Sequence, residues 1–334
     1  MIGLIAVFAL VSVQDAGSAV NSLFQDVSDP IEGVITGGSG GAGSEGNEGP
    51  PVSFDHSFEN CGATGRTGPD GTDCDTGYAG TDFSPGAFLG VTSGIQQWQV
   101  PHTGLWQITA RGAAGGDQGS RTGGSGAEIT GTVTLTAGET INIIVGQQGL
   151  DWLSLNASSA AGGGGGSFVW RDSDNTPLVV AGGGGGARTN DGGDGNATNA
   201  SGTGNGGPKG GSNANGEGAG GAGWNSSGND GFSCGGGFHA LRSTNAGRGG
   251  GSTWSQFGAA AQGGFGGGGG AYNGGGGGGG YTGGVGGFGH PPSGPGGGGT
   301  SYVDPSGSIV TQNNGVVSGH GSVLVEFCDQ GVCP

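Results

Sequence analysis

Glycine decides what this chain can become. Residues 263–284 read GGFGGGGGAYNGGGGGGGYTGG, and shorter runs occur at 162–166, 182–186 and 296–299. Across 334 residues there are 94 glycines. Collagen needs glycine at every third position, and no such period exists here. Glycine-rich sequence without a period ordinarily reads as a disordered linker. Two features oppose that reading. The runs are punctuated by Trp, Phe, Tyr and Val, and they alternate with strand-forming segments. A three-residue-per-turn extended helix makes no internal hydrogen bonds, so its amides must pair with neighbours. Bare glycine runs can approach closely enough to do this, and runs of five to seven residues would span roughly 15–22 Å. Ordering them costs the most backbone entropy of any residue, so only a cooperative bundle is expected to fold. Phe265, Tyr272, Tyr281, Phe288 and Trp224 at the run ends are expected to cap or anchor it.

Charge and chemistry exclude several functions. Eight Lys and Arg stand against 25 Asp and Glu, a net charge of −17. Nucleic-acid binding needs the opposite sign; an acidic surface suits cations or a basic protein partner. The five cysteines contain no CxxC pair, which leaves zinc and thioredoxin chemistry without support. Cys61 with Cys74, and Cys328 with Cys333, read as local disulfides of an oxidising compartment. Cys234 is left as a buried thiol or a bond to another chain. The five histidines are scattered, with His320 in GHG read as structural. Gly37–Gly41 fits G-x-S-x-G by chance, with no strand before it. Lys209 follows Pro208, so no P-loop is present. Asp191 and Asp194 are weak calcium candidates in a loop better read as solvated. No cofactor and no enzymatic activity are expected. Sequons occur at Asn156, Asn196, Asn199 and Asn225.

Three segments are expected. Residues 1–30 open with the uncharged MIGLIAVFALVSV, short for a membrane span of about 20 apolar residues. As a signal peptide this stretch lacks a basic start. Ala16, Ala19, Val20, Leu23, Phe24 and Val27 continue it at helical spacing until Asp29-Pro30. Residues 31–53 form a Gly/Ser/Glu/Pro tether. Residues 54–334 read as a domain. Ile95, Trp98 and Val100, then Leu105, Trp106 and Ile108, mark two strands. Ile129, Val133 and Leu135 face Ile141, Ile143 and Val145 across Ala137-Gly138 as a hairpin. SFVW and PLVVAGG form another around Asp172–Thr176, and SVLVEF at 322–327 closes the set with SYV near 302 as its partner. The fold class is mostly β: an antiparallel sandwich after an N-terminal helix. The loops at 188–207 and 233–250 between glycine runs are where binding is expected, with Phe238, Leu241, Trp254 and Phe257 as surface candidates.

Two resemblances follow from quoted residues. CGATGRTGP (61–69), IQQWQVP (95–101), INIIVGQQG (141–149), PLVVAGGGGGA (177–187), GGGGGGGYTGG (274–284) and GHGSVLVEFC (319–328) stand in order. They resemble the glycine-rich extracellular domain of the anaplastic lymphoma kinase and leukocyte tyrosine kinase receptors, over about 57–333. The resemblance implies a TNF-like or jelly-roll β-sandwich with an inserted polyglycine II helix bundle. In those receptors the domain binds a small basic cytokine. Where they have a cysteine shortly after GGFGGGGG, this chain has Ala271-Tyr272. Separately, IGLIAVFALVSVQDAGSAVNSLFQDV resembles the helix of Flp-type (Tad) type IV pilins, without the Glu-Tyr pair of that family. It implies filament packing through Leu4, Ile5, Val7, Phe8, Leu10, Val11, Val20, Leu23 and Phe24. The combined expectation is a pilin-like subunit of an extracellular surface filament. Copies of the chain are its partners, with membrane contact only before assembly, and the head is adhesive. The alternative is a secreted or receptor-type binding module with a cleaved signal peptide and a basic protein ligand.

Overall fold

Short β-branched and aromatic segments separated by Gly and Asn turns build two sheets in the computed structural model. It describes residues 54–81, 88–152, 160–210, 217–231, 233–241, 245–251, 262–289 and 292–334. The expected N-terminal helix and tether lie outside these residues. The strands are β1 (Asp55–Phe58), β2 (Phe88–Thr92), β3 (Ile95–Gln99), β4 (Gly104–Arg111), β5 (Gly126–Leu135) and β6 (Thr140–Ile144). They continue with β7 (Ser167–Arg171), β8 (Pro177–Ala181), β9 (Asn196–Asn199), β10 (Thr300–Val303), β11 (Ser308–Val317) and β12 (Ser322–Cys328). One short helix, α1 (Gly71–Gly77), lies between β1 and β2.

The five-stranded sheet runs β1-β12-β4-β5-β11, and the seven-stranded sheet runs β2-β3-β6-β7-β8-β10-β9. Every pairing is antiparallel except β9 with β10. One core joins the inner faces. Phe58, Trp106, Ile108, Ile129 and Val325 come from the first sheet, and Trp98, Ile141, Ile143, Val169 and Val179 from the second. Trp98 and Trp106 are fully buried and meet edge to face across the sandwich at 5.1 Å. Each large apolar side chain buried this way contributes about 1.5–3 kcal/mol.

Strand parity explains why the second sheet is buried on both faces. Val169 and Val179 point into the sandwich, whereas Ile144, Phe168, Trp170 and Val180 point the other way. That outward row packs with Trp224, Phe265 and Tyr281, which belong to the glycine-rich segments. The aromatics at the run ends therefore clamp the glycine bundle onto the sheet. Phe288 does not take part, being 61% exposed, and Tyr272 is half-buried.

The bundle obeys a three-residue period. Gly276 and Gly279 donate to Ala161 and Gly164; Gly277 and Gly280 donate to Ala219 and Ala222; Gly275, Gly278 and Tyr281 donate to Gly294, Gly297 and Thr300. Carbonyls of the same run accept from Gly183 and Gly186, from Gly269, and from Gly284 and Gly287. The run 274–280 thus sits among six neighbouring segments, giving N–H groups to three and accepting from three. This is how a run without internal hydrogen bonds satisfies its N–H groups from Gly275 to Gly280. The spacing leaves no room for side chains: a Cβ on Gly277 would stand 2.1 Å from the Gly284 carbonyl oxygen.

Two pairings differ from the sequence reading. β5 and β6 are not a hairpin, because β5 pairs with β4 and β11, and β6 with β3 and β7. The chain turns a corner between sheets, held by Gly138 donating to the Val100 carbonyl at 2.8 Å. The expected facing residues meet through the core instead of along a ladder. β12 pairs with β1 and β4, while β10 pairs with β8 and β9. β7 and β8 do form the expected hairpin.

Candidate recognition surface

The segment closed by the Cys61–Cys74 disulfide carries several exposed acids. The sequence PDGTDCD makes α1 here because Asp70 is an N-cap with Asp73 three residues later. The Asp70 carboxylate accepts from the Asp73 N–H at 2.9 Å, and Asp73 accepts from the Asp70 N–H at 3.0 Å. This reciprocal capping box satisfies two otherwise orphaned amides. Cys74, on the buried face of α1, is bonded to Cys61. A second disulfide joins Cys328 to Cys333. Tyr78 then fixes the surface from below. Its hydroxyl accepts from the Glu59 N–H at 3.0 Å, and Gln96 Nε2 donates to the Glu59 carbonyl at 2.8 Å. Burial pushes the Tyr78 phenol above its ordinary pKa, so it stays neutral.

On this frame Asp55, Glu59, Asp70, Asp73 and Asp75 are exposed. Asp55 pairs in register with Glu326 of β12, which extends the acidic face. Arg66 is the single cation between residues 54 and 81. It is turned inward, its Nε donating to the Gly249 carbonyl at 3.1 Å. Residues 54–81 are therefore net negative and are held by a covalent bond, a helix cap and a half-buried tyrosine.

The other candidate residues fare differently. Leu241 packs against the second core cluster instead of standing free. Phe238 is half-buried. Trp254 and Phe257 lie outside the described residues. Asp191 and Asp194 cap the ends of glycine segments, accepting from the Thr122 and Ser125 N–H groups at 3.2 and 2.8 Å. Among the described residues no group of three or more His, Cys, Asp or Glu could hold a metal ion. Cys234 is buried, its thiol donating to the Glu217 carbonyl at 3.2 Å, and burial pushes its pKa to about 12. That resolves its two readings toward an inert buried thiol. His56 packs edge-on against Phe58 and Tyr78, and His320 Nδ1 accepts from the Gln148 N–H at 3.0 Å. Both are structural. The filament-packing residues from Leu4 to Phe24 lie outside the described residues.

Sequence reading missed β11. Its Ile309, Val310 and Val316 are exposed on the edge of the five-stranded sheet. The signal was the SIVT segment before a polar stretch, too short to show alternation.

No family model matches the chain. A 98-residue segment is 43% identical to the leukocyte tyrosine kinase receptor of Mus musculus. The match covers 28% of this chain and spans about a tenth of the receptor, 11% of its length. The pilin resemblance of residues 2–27 finds no support in these comparisons. Two disulfides persist in oxidising compartments, and together with the similarity to a receptor they point to an extracellular setting for a chain partly homologous to that receptor.

Proposed function

We propose that residues 54–334 form an extracellular, receptor-type ligand-binding module, with the acidic disulfide-bonded end as its recognition surface. The observation that carries this reading is the 43% identical segment shared with a receptor tyrosine kinase. The exposed row Asp55, Glu59, Asp70, Asp73 and Asp75 supports a basic polypeptide as ligand. Charge of one sign on a rigid surface steers an oppositely charged partner and sets specificity more than raw affinity. The glycine bundle contributes rigidity: it clamps one face of the seven-stranded sheet and so limits how far the sandwich can deform.

The test is capture of secreted proteins on the immobilised full chain, with identification of the bound fraction. The expected ligand is basic, and its binding weakens with added salt. The triple variant Asp55→Lys, Glu59→Lys and Asp75→Lys is expected to abolish capture, because it reverses the face while leaving the Asp70–Asp73 cap intact. Capture that survives both the triple variant and high salt would remove this surface from consideration. The expectation of a filament rests on residues 1–27 and has no structural observation in its favour.

A further inference from the structure

Arg111, Arg171 and Lys209 pair with Glu128, Glu139 and Glu217. Arg66 and Arg248 form no ion pair among the described residues. Their acceptors are neutral: Arg66 uses the Gly249 carbonyl, and Arg248 Nη1 donates to Asn245 Oδ1 at 3.3 Å. The Arg248 Nε–H is buried without a hydrogen-bond partner. The two charges also feel each other, because burial and then the Arg248 charge push the Arg66 guanidinium below its ordinary pKa. Like charges held together in a chain of net charge −17 need a counter-ion.

Arg248 and Phe265 both line a cleft of 390 Å³. Its walls are the Thr67–Gly71 loop, the turn from Val91 to Gly94, and Ala246 beside Asn245. The Phe265 ring approaches so closely that a Cβ on Gly68 or Gly94 would lie 2.6 or 2.5 Å from it. Ser93 and Asn245, on facing walls, both hold positive φ, 53° and 58°. Ser93 with Gly94 is the two-residue turn of the β2–β3 hairpin, which holds both at positive φ, and Asn245 is of a residue type that tolerates this region. The cleft is large enough for a small molecule, with Val91, Ala246 and Phe265 beside the polar Thr67, Asp70, Ser93, Asn245 and Arg248. Asp70 also borders it, but its carboxylate is engaged in the α1 cap.

We propose that this cleft binds a small organic carboxylate, the acid group on Arg248 and the apolar body against Phe265, Val91 and Ala246. A carboxylate in the cleft accepts from the Arg248 guanidinium and offsets the charge it shares with Arg66. A single negative charge suits a rim that also holds Asp70, which a doubly charged phosphate would meet unfavourably. Its binding groups, Arg248, Phe265, Val91 and Ala246, are not among the acids of the recognition face, although Asp70 borders both.

Calorimetric titration of the full chain with phenylacetate, phenylacetamide and N-acetylphenylalanine tests it. The acids are expected to bind at least tenfold more tightly than the isosteric amide, because charge-assisted hydrogen bonds need the anion. Preference for phenylacetate indicates a free acid as the natural source, and preference for N-acetylphenylalanine a peptide C-terminus. Arg248→Gln is expected to weaken acid binding at least tenfold, Arg248→Lys by less, and Val91→Trp to block all three probes by filling the cleft. Thermal unfolding of each variant confirms folding. Should a variant not fold, the acid-against-amide comparison on the unmodified chain decides alone. Equal affinity for acid and amide, or no saturable binding of either acid at millimolar concentration, overturns the proposal.

Discussion

The Gly279 N–H donates to the Gly164 carbonyl oxygen at 2.9 Å, joining two glycine runs that belong to distant parts of the chain. The bond is of ordinary length; what bare backbone makes possible is the crowding around it. A Cβ on Gly279 would stand 2.1 Å from the Gly266 carbonyl oxygen. Backbone cannot move aside there without breaking its own lateral bonds. Gly279→Ala and Gly277→Ala are each expected to destabilise the domain by about 2–4 kcal/mol, through overpacking. Gly71→Ala is the control, because a Cβ there meets nothing within 4 Å. At the start of α1 it is expected to be neutral or to stabilise by up to about 1 kcal/mol. Thermal unfolding of the three variants reads this directly.

Amide hydrogen exchange probes the same lattice without mutation. Gly276 to Gly279 each donate to a different or alternating neighbour and are buried. Local opening would have to break several segments at once, so these amides are expected to exchange only through global unfolding. The exposed turn at Gly119 serves as the fast reference. Exchange of 276–279 at the rate of that turn would show that the bundle is not a cooperative unit.

The bundle and the sandwich were legible for different reasons. Phe265, Tyr281 and Trp224 at run ends gave the anchoring points, because an aromatic among glycines has few other uses. Trp98, Trp106, Ile141 and Ile143 gave the core through alternation. The corner from β5 to β6 was not legible, since Ala137-Gly138 has the same turn chemistry whether the strands pair or separate into two sheets. Only the long-range partners Val100 and β4 decide between them. The exposed acids near Cys61 and Cys74 could be read from composition. The cleft could not, because it needs Arg248, Val91 and Phe265 brought together by the tertiary fold.

Buried histidines predict an acid limb of stability. Burial lowers the His56 pKa to about 4 from its ordinary 6.5, and His320 is lowered for the same reason. The fold holds both neutral, while the unfolded chain takes up protons first. The His56 contribution is therefore complete above about pH 6.5 and is lost as pH falls from there toward 4, and that of His320 is lost in the same direction. The loss proceeds at up to about 1.4 kcal/mol per pH unit for each group. His56→Phe keeps the aromatic contacts to Phe58 and Tyr78 and removes the titration. Denaturant midpoints measured from pH 7 to pH 4 are expected to fall less steeply in this variant.

The thiols give a last, separable prediction. Cys61 and Cys74 close a loop of sequence separation 13, for which chain entropy alone gives about 3 kcal/mol. The double variant Cys61→Ser, Cys74→Ser is expected to lose about that much, and to release α1 from the core, since Cys74 is its buried residue. Basic-ligand binding should weaken in the same variant, because Asp73 and Asp75 ride on that helix. Cys234 should behave oppositely to an exposed thiol. It is 2% exposed and its pKa is pushed to about 12, so almost none of it is thiolate at pH 8. The native protein is expected to consume no thiol reagent, and the denatured, unreduced protein one equivalent. Rapid native labelling at Cys234 would mean that the segment around Glu217 opens far more readily than its buried contacts allow.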